Sequence, residues 1–188
     1  MIIRKATTLD AKELLEIYSP YVEETAISFE LVTPTLEDFT NRISRISTEY
    51  PYLVAVSDDR IVGYAYASVF HGREAYKHCV ETSIYIRKDC RGKGIGRVLY
   101  NALETELLKQ NVYTLYACIT KTDREDDPYL TNSSILFHER LDYRLTGVHE
   151  LCGYKFGRWY SVCWMEKRIS DLPDNPPKFI PYCEIDRA

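Results

Sequence analysis

The hydrophobic pattern of the first fifty residues predicts one strand and two amphipathic helices. Residues 2–6 form a short stretch of strand character. Asp10 is suited to cap a helix, and the apolar side chains that follow it recur at helical spacing: Leu14, Ile17, Tyr18, Tyr21 and Val22. Thr35 predicts a second helix start, and its buried face would consist of Phe39, Ile43 and Ile46.

The middle of the chain changes to a pattern typical of strands. Residues 52–56 and 61–67 are rich in aromatic and β-branched side chains and flank a polar segment, residues 57–60, that predicts a hairpin turn. Residues 79–86 predict a further strand. Residues 92–110 carry the clearest helical pattern of the chain, with an apolar face formed by Ile95, Val98, Leu99, Ala102, Leu103 and Leu107.

The last third predicts a strand at 114–119, an exposed polar loop at 120–131, a helix at 132–141 and two strands within 145–169. The complete order is strand, two helices, three strands, helix, strand, helix and a final strand pair. This order predicts one α/β domain with a mixed, mostly antiparallel sheet flanked by about four helices.

The chain divides into this domain, residues 1–169, and a tail, residues 170–188. The tail contains four prolines and lacks periodicity. We expect it to be irregular and to lie against the domain or against a partner subunit.

Composition narrows the class of protein. Lys and Arg number 24 against 28 Asp and Glu, so there is no basic excess of the kind that nucleic-acid binders carry. No apolar run approaches the roughly 18 residues that a membrane-spanning helix needs, and the first residues lack the apolar core of a secretory signal. We therefore expect a cytoplasmic protein that binds neither nucleic acid nor membrane.

The six cysteines do not predict a metal site. They are scattered along the chain without a C-x-x-C pair, whereas zinc sites use closely spaced pairs of ligands. We expect no bound metal, and thiols that are reduced and mostly buried.

Residues 79–97 carry the clearest chemical signal, because a strand there runs into a glycine-rich turn and then into the amphipathic helix. Gly92, Gly94 and Gly96 let the backbone approach a ligand closely, and the start of a helix presents unpaired amides to an anion. Basic side chains surround the turn in an otherwise acidic protein: Arg87, Lys88, Arg91, Lys93 and Arg97. The combination predicts a site for a phosphate-bearing ligand.

Two common phosphate-binding motifs do not fit this turn. A P-loop continues with Lys and then Ser or Thr after its last glycine, but Arg97 and Val98 follow Gly96. A dinucleotide site has G-x-G-x-x-G at the start of a βαβ unit, whereas this chain has G-x-G-x-G in its middle. The bare glycines also fit simple packing of a helix on a sheet, and only a longer pattern distinguishes the two.

The longer pattern, Arg91-Gly92-Lys93-Gly94-Ile95-Gly96, resembles the R/Q-x-x-G-x-G/A signature of the GNAT superfamily of N-acetyltransferases. The resemblance extends over residues 2 to about 169 and includes the order of elements. More narrowly, the chain resembles the phosphinothricin and methionine sulfoximine N-acetyltransferase branch. The motifs that match are Arg73-x-Ala75-Tyr76, Val80-Glu81, His138-Glu139 and Gly153-Tyr154-Lys155-Phe156-Gly157-x-Trp159.

The resemblance implies acetyl-CoA as cofactor, bound where two central strands splay apart. It implies that the backbone of Ile84, Tyr85 and Ile86 pairs with the pantetheine arm. The turn and helix start would hold the pyrophosphate, through Arg91, Gly92, Lys93, Gly94, Ile95, Gly96 and Arg97. Asn132 matches a family asparagine that contacts the cofactor, although the residue type suits a plain helix N-cap equally well.

The resemblance also implies a catalytic role for Glu81. Free amines are mostly protonated at neutral pH, so acetyl transfer needs a base. Partial burial would raise the pKa of Glu81 toward a range useful for a base, and an outward-facing strand residue is the alternative. We expect a backbone amide near Tyr85 to stabilise the oxyanion and His138 to pack within its helix. The tyrosine that would protonate the leaving thiolate stays open among sixteen.

The acceptor side is implied by two further matches. Arg73 and Tyr76 would lie near the acceptor pocket, where an arginine can pair with a carboxylate. Lys155 and Trp159 would lie in a hairpin that closes the site and helps to form a homodimer. On residue type alone, a solvated Arg or Lys and a core Trp are the alternatives. Departures from the family pattern include Phe70 near a usual tryptophan, Ser161 at a usual aspartate and Asp142 at a usual glycine.

The expected function is therefore acetyl-CoA-dependent acetylation of the amino group of a small amino acid or analogue. The reaction would proceed by direct attack with deprotonation assisted by Glu81. Acetylation of a peptide or protein amine is one alternative, and a catalytically silent acyl-CoA sensor is another.

Overall fold

The computed structural model describes residues 1–185. In chain order its strands and α-helices are β1 Ile2–Lys5, α1 Ala11–Glu23, α2 Leu36–Glu49, β2 Tyr52–Ser57, β3 Arg60–Val69, β4 Cys79–Ile86, α3 Ile95–Lys109, β5 Thr114–Lys121, α4 Ser133–Glu139, β6 Arg144–Lys155, β7 Arg158–Arg168 and α5 Tyr182–Ile185. Within these residues, every helix is too short or too polar to cross a bilayer.

The strands form one sheet in the order β1-β2-β3-β4-β5-β7-β6. Neighbouring strands are antiparallel except β4 and β5, which are parallel. This arrangement confirms the predicted fold class and order of elements. The predicted hairpin turn is also present, since Asp58 and Asp59 both have positive φ, at 51° and 58°, as a tight two-residue hairpin turn requires.

Apolar side chains pack on both faces of the sheet. On one face, Leu99, Leu103 and Leu107 of α3 pack against Val80 and Leu115. On the other face, α1 and α2 pack on β2, β3 and β4, and this second cluster contains no residue of β5, β6 or β7. The cluster formed with α1 and α2 therefore ends at β4, where the chemistry predicted from the sequence lies.

The helix starts agree with the sequence in one case and differ in another. Thr35 caps α2, because its hydroxyl accepts a hydrogen bond from the Asp38 amide at 3.1 Å. Asp10 precedes α1, but its carboxylate accepts from the Thr7 amide at 2.7 Å and pairs with Arg4 instead of capping the helix. The spacing of apolar residues correctly predicted the helix, but Thr7 and Arg4 bind the carboxylate that was expected to cap it.

The tail makes specific contacts with the domain. The side-chain amide of Gln110, just after α3, donates to the carbonyls of Glu49 and Ile180 at 2.7 and 2.8 Å. The side chain of Asn111 donates to the Lys178 carbonyl at 2.8 Å, and Tyr182 is buried. Residues 178–182 therefore lie against their own domain.

Candidate active site

β4 and β5 are paired over only part of their length. Their register is Cys79 with Thr114, Val80 with Leu115 and Glu81 with Tyr116. Both strands continue beyond that point without pairing with each other. The strands therefore diverge, which confirms the predicted splay. The cleft between them is lined by residues 82–85, 117–120, Tyr100, Ser134 and His138, together with Ile27 and Leu130.

The backbone of β4 presents alternate residues to this cleft. The Ile86 amide donates to the Tyr21 hydroxyl at 3.0 Å, and that hydroxyl donates to the Ile86 carbonyl at 2.6 Å. Because backbone groups of successive residues point to opposite edges of a strand, Ile84 also faces the cleft and Tyr85 faces β3. Of the three residues expected to pair with the pantetheine arm, Ile84 thus presents its backbone to the cleft, Tyr85 faces β3, and both backbone groups of Ile86 are bonded to Tyr21.

The glycine-rich turn has the geometry that a phosphate site requires. Gly92 and Gly94 have φ of 75° and 79°, a left-handed conformation that costs glycine little. Gly94 precedes α3 and its carbonyl accepts from the Val98 amide. The preceding amides, of residues 95–97, lie in the first turn and have no partner within the helix. They stand at the start of a 15-residue helix, where the sequence predicts an anion-binding surface.

Three exposed cations surround this turn. The Arg91 guanidinium lies 4.7 Å from the centroid of the Tyr21 ring. Lys93 and Arg97 donate to backbone carbonyls at 3.0 and 2.9 Å, with polar atoms still open to solvent. Arg87 instead bonds the Ile61 carbonyl and lies 3.6 Å from a carboxylate of α1. Arg91, Lys93 and Arg97 are therefore the cations best placed to attract a phosphate.

The helix that follows the cleft is positioned by two contacts. A Cβ on Gly96 would lie 2.8 Å from the Phe137 ring, so glycine lets α3 and α4 approach closely. Asn132 stands at the N-cap position of α4 but makes no capping bond there. Its side chain accepts from the Thr122 amide at 3.2 Å and donates to the Thr122 carbonyl at 2.8 Å. The amide of Asn132 thus closes the loop before α4, and the simple N-cap interpretation is wrong.

Glu81 lies where the two strands separate, between Ser68 of β3 and Tyr116 of β5. The side chain is half-buried, so it is not the outward-facing residue that the sequence left as an alternative. Burial raises the pKa of its carboxyl. Among residues 1–185, none forms an ion pair or hydrogen bond with this carboxylate. The arrangement can therefore accept a proton from a group that enters the cleft.

A chain of polar side chains lies on the other face of β4. The Tyr100 hydroxyl is 3.4 Å from Thr82 Oγ1 and 3.1 Å from His138 Nε2. His138 Nδ1 lies 2.7 Å from the Ser134 carbonyl, so Nδ1 carries the proton. Burial lowers the pKa of His138 to about 4. His138 packs as the sequence predicted, but it also lines the cleft with Tyr100. Tyr100 and Thr82 were missed, because hydroxyl residues form no distinctive sequence pattern.

The segment between β3 and β4 carries the two predicted acceptor residues. Phe70 stacks on Tyr116 with centroids 4.0 Å apart, and Tyr116 is the strand partner of Glu81. Tyr76 meets the Phe70 ring edge to face at 6.1 Å. Arg73 is exposed on the same segment. Tyr76 thus contacts Phe70, which in turn stacks on the strand partner of Glu81. Among the described residues, Arg73 makes no such contact and stays exposed on this segment.

The late hairpin places its two predicted residues differently. Lys155 is 4% exposed, and its ammonium donates to the Val22 and Ser28 carbonyls at 2.7 and 2.6 Å. Its side chain joins the hairpin to the end of α1, which corrects the expectation that it contacts an acceptor. Trp159 is 55% exposed and packs against Tyr154. It is therefore not a core tryptophan.

The cysteines also differ from expectation. All six are free, but the expectation that they are mostly buried is wrong: Cys90 and Cys163 are buried, Cys79 is intermediate, and Cys118, Cys152 and Cys183 are exposed. Cys118 lines the cleft on β5. Exposure of Cys118 in the cleft was not predictable from the sequence, because it depends on where β5 leaves β4.

Known proteins resemble this chain in sequence over most of its length. The chain is 31% identical over 171 residues to a phosphinothricin N-acetyltransferase of Streptomyces coelicolor, with 89% of this chain and 95% of the relative covered. It is 32% identical over 180 residues to an L-methionine sulfoximine/L-methionine sulfone acetyltransferase of Pseudomonas aeruginosa, with 93% and 98% covered.

Solved structures agree with the fold. A GNAT superfamily phosphinothricin acetyltransferase from Sinorhizobium meliloti, in complex with AcCoA, superposes with a TM-score of 0.82 at 30% identity, covering 96% of this chain and 97% of that one. A ribosomal-protein-alanine N-acetyltransferase from Brucella melitensis has a TM-score of 0.82 at 31% identity, covering 90% and 100%.

The family assignment follows from these matches. The family profile described as an acetyltransferase (GNAT) domain matches residues 3–164, which is most of the chain. The match agrees with the parallel, splayed strand pair and with the glycine-rich turn at the start of α3. The chain therefore belongs to the GNAT family of acetyl-CoA-dependent N-acetyltransferases.

Proposed function

We propose that this protein acetylates the amino group of a small amino acid or analogue of the phosphinothricin or methionine sulfoximine type. One observation carries the proposal most directly. Glu81 is a half-buried carboxylate of raised pKa, unpaired among the described residues, at the apex of the cleft between β4 and β5. The relatives named for phosphinothricin and methionine sulfoximine support the acceptor class.

The cofactor would lie along the free edge of β4. Its pantetheine arm would pair with Ile84, and its pyrophosphate would meet the amides of residues 95–97 with Arg91, Lys93 and Arg97 nearby. Pairing with Ile86 as well requires the Tyr21 hydroxyl to give way, because it holds both backbone groups of Ile86. This placement brings the thioester toward the apex at Glu81.

The reaction follows from that placement. Glu81 takes a proton from the ammonium form of the acceptor, and the free amine attacks the thioester carbonyl. The tetrahedral intermediate collapses with loss of the CoA thiolate, which takes up the second amine proton, and Glu81 then releases the first proton to solvent. The half-buried setting favours this chemistry, since a carboxyl of raised pKa is a stronger base.

Arg73 and Tyr76 are proposed to bind the carboxylate of the acceptor. Both lie on the segment whose Phe70 packs on Tyr116, next to Glu81. Trp159 is proposed to lie in a homodimer interface, because it and Tyr154 are large, exposed side chains on one hairpin. Sedimentation at micromolar concentration checks the dimer, and a monomeric mass there would contradict it.

The test of the function is Glu81→Gln, with CoA thiol release measured over a panel of amino acids, phosphinothricin, methionine sulfoximine and methionine sulfone. We expect kcat/KM to fall by about 10²- to 10⁴-fold, the usual contribution of a general base, while the Kd for acetyl-CoA is unchanged. Glu106→Gln is the matched control, because Glu106 is a partly exposed carboxylate of α3 that pairs with Lys109. Undiminished turnover by Glu81→Gln would refute the assignment of the base.

A protein or peptide amine is the second candidate acceptor. It is favoured by the 31% identity to the ribosomal-protein-alanine N-acetyltransferase from Brucella melitensis. Peptides with an N-terminal alanine therefore belong in the same panel, and a higher kcat/KM for them than for every free amino acid would select this alternative. Binding of acetyl-CoA without turnover of any amine would instead indicate an acyl-CoA sensor.

A further inference from the structure

A second concave surface lies beside the apex, between α2 and the outer end of β3. This groove has a volume of about 610 Å³, within the range of sites that hold small ligands, about 300–1,000 Å³. Its walls combine three cations with apolar and aromatic side chains. The lining residues are Arg42, Arg45, Ile46, Glu49, Tyr50, Tyr66, Ser68, Val69 and Lys77.

The groove lies next to the strand position of the proposed base. Ser68, in the groove wall, is the antiparallel strand partner of Glu81. Side chains of such partners point to the same face, with Cβ atoms about 4.5–5.5 Å apart. Tyr66 lies two residues before Ser68, so it faces the same way. A small ligand in the groove therefore lies one strand away from Glu81.

The three cations of the groove differ in how far they are already compensated. Arg42 forms an ion pair with Glu30 at 2.7 Å, so its charge is already compensated. Lys77 lies 3.5 Å from Glu49, a long ion pair, and 5.1 Å from the centroid of the Phe179 ring. Arg45 is exposed and has no ion pair with any residue from 1 to 185. Positive charge available to a ligand therefore resides on Arg45 and Lys77.

We propose that Arg45 and Lys77 bind an anionic group of the acceptor, such as a carboxylate or phosphinate, that is remote from the reacting amine. The proposal rests on the proposed function and narrows its substrate class. Arg73 would hold the carboxylate next to the amine, and the groove would hold the far end of the molecule. A neutral acceptor of equal length gains no ion pair there, so the groove selects acceptors with an anionic far end.

The experiment compares two matched pairs of acceptors, phosphinothricin with methionine sulfone and glutamate with glutamine. For Arg45→Gln and for Lys77→Met, we expect kcat/KM to fall about fivefold with the anionic member of each pair, as loss of an exposed ion pair predicts. The neutral member should change less than about twofold by the same argument. Lys109→Gln at the end of α3 is the control cation outside the groove.

The outcomes separate this proposal from the function on which it rests. Equal effects on anionic and neutral acceptors, or no effect on either, would overturn the groove assignment while leaving the enzyme's activity intact. If no amine is acetylated, the proposed function fails. Calorimetric measurement of phosphinothricin binding to the CoA-loaded protein then tests whether the groove binds an anionic ligand. Unchanged binding in Arg45→Gln would then overturn the assignment.

Discussion

Lys155 offers the sharpest test of how the late hairpin is held. Its ammonium donates to the carbonyls of Val22, in the last turn of α1, and of Ser28, at 2.7 and 2.6 Å. Carbonyls in the last turn of a helix have no partner within the helix and carry the negative end of its dipole. Lys155→Met keeps a similar apolar length and removes both hydrogen bonds.

The expected loss of stability follows from these contacts. A hydrogen bond from a charged donor contributes about 1.5–3 kcal/mol, and leaving a buried acceptor unsatisfied costs about 1–3 kcal/mol. The variant also removes the cost of burying the ammonium, which is visible as a lowered pKa of Lys155 and offsets part of the loss. We therefore expect the free energy of unfolding to fall by about 2–4 kcal/mol, with each lost bond counted at the low end of its range.

Urea unfolding at neutral pH measures this loss. Lys88→Met is the matched control, because Lys88 also pairs near the end of α1, with Glu24 at 3.2 Å, but is 76% exposed. Exposed pairs contribute about 0–1 kcal/mol, so the control should remain near wild type. If Lys155→Met were as stable as wild type and showed a raised KM for the acceptor alone, Lys155 would be a substrate contact and this reasoning would be refuted.

Two further predictions concern the buried histidine and the phosphate turn. The pKa of His138 is about 4 in the folded protein and about 6.5 when unfolded, so the unfolded state binds the proton more readily between these values. The free energy of unfolding is then highest above pH 6.5 and decreases by about 3 kcal/mol as the pH falls toward 4. Urea unfolding at several pH values should show a smaller decrease for His138→Asn than for wild type. Equal decreases in the two proteins would contradict this assignment. Gly94→Ala forces a φ of 79° on a side chain, so we expect about 1–2 kcal/mol of destabilisation and a raised Kd for acetyl-CoA. Gly147→Ala, which meets no atom within 4 Å, is its control, and identical behaviour of the two variants would argue against backbone strain.

The order of elements could be predicted because its signals are local. Apolar residues at helical spacing marked α1 and α3, and paired aspartates marked the turn between β2 and β3. The helix of residues 92–110 was predicted too early, and α3 begins at Ile95 because Gly92 and Gly94 are left-handed. Periodicity detects an apolar face, whereas backbone conformation decides where the helix begins.

The candidate site divides in a similar way. The glycine-rich turn before α3 was predictable, since glycines, cations and a helix start occur in one continuous segment. The divergence of β4 from β5 was predicted only from the resemblance to the family, because no local sequence pattern indicates where the pairing of two parallel strands ends. The partnership of Glu81 with Ser68 required the register of β3 on β4, and the groove that Arg45 and Ser68 line required the packing of α2 on that sheet.

Single residues show the same limit. Asn132 was predicted as a cap or a cofactor contact, but its amide bonds Thr122, ten residues earlier. Lys155 was assigned to the acceptor by a motif, but it bonds carbonyls more than a hundred residues earlier. The residue type determines which hydrogen bonds a side chain can form, and the tertiary structure determines which partner it has.

By itself the sequence determined the class of fold, the order of its elements and the anion-binding turn before α3, because each depends on contacts between residues near in the chain. Only the tertiary structure decided the strand order β5-β7-β6, the end of pairing at Glu81 and the positions of Lys155, Asn132 and Arg45. Those features depend on which distant surfaces bury one another, and packing between distant segments leaves no periodic signal in the chain.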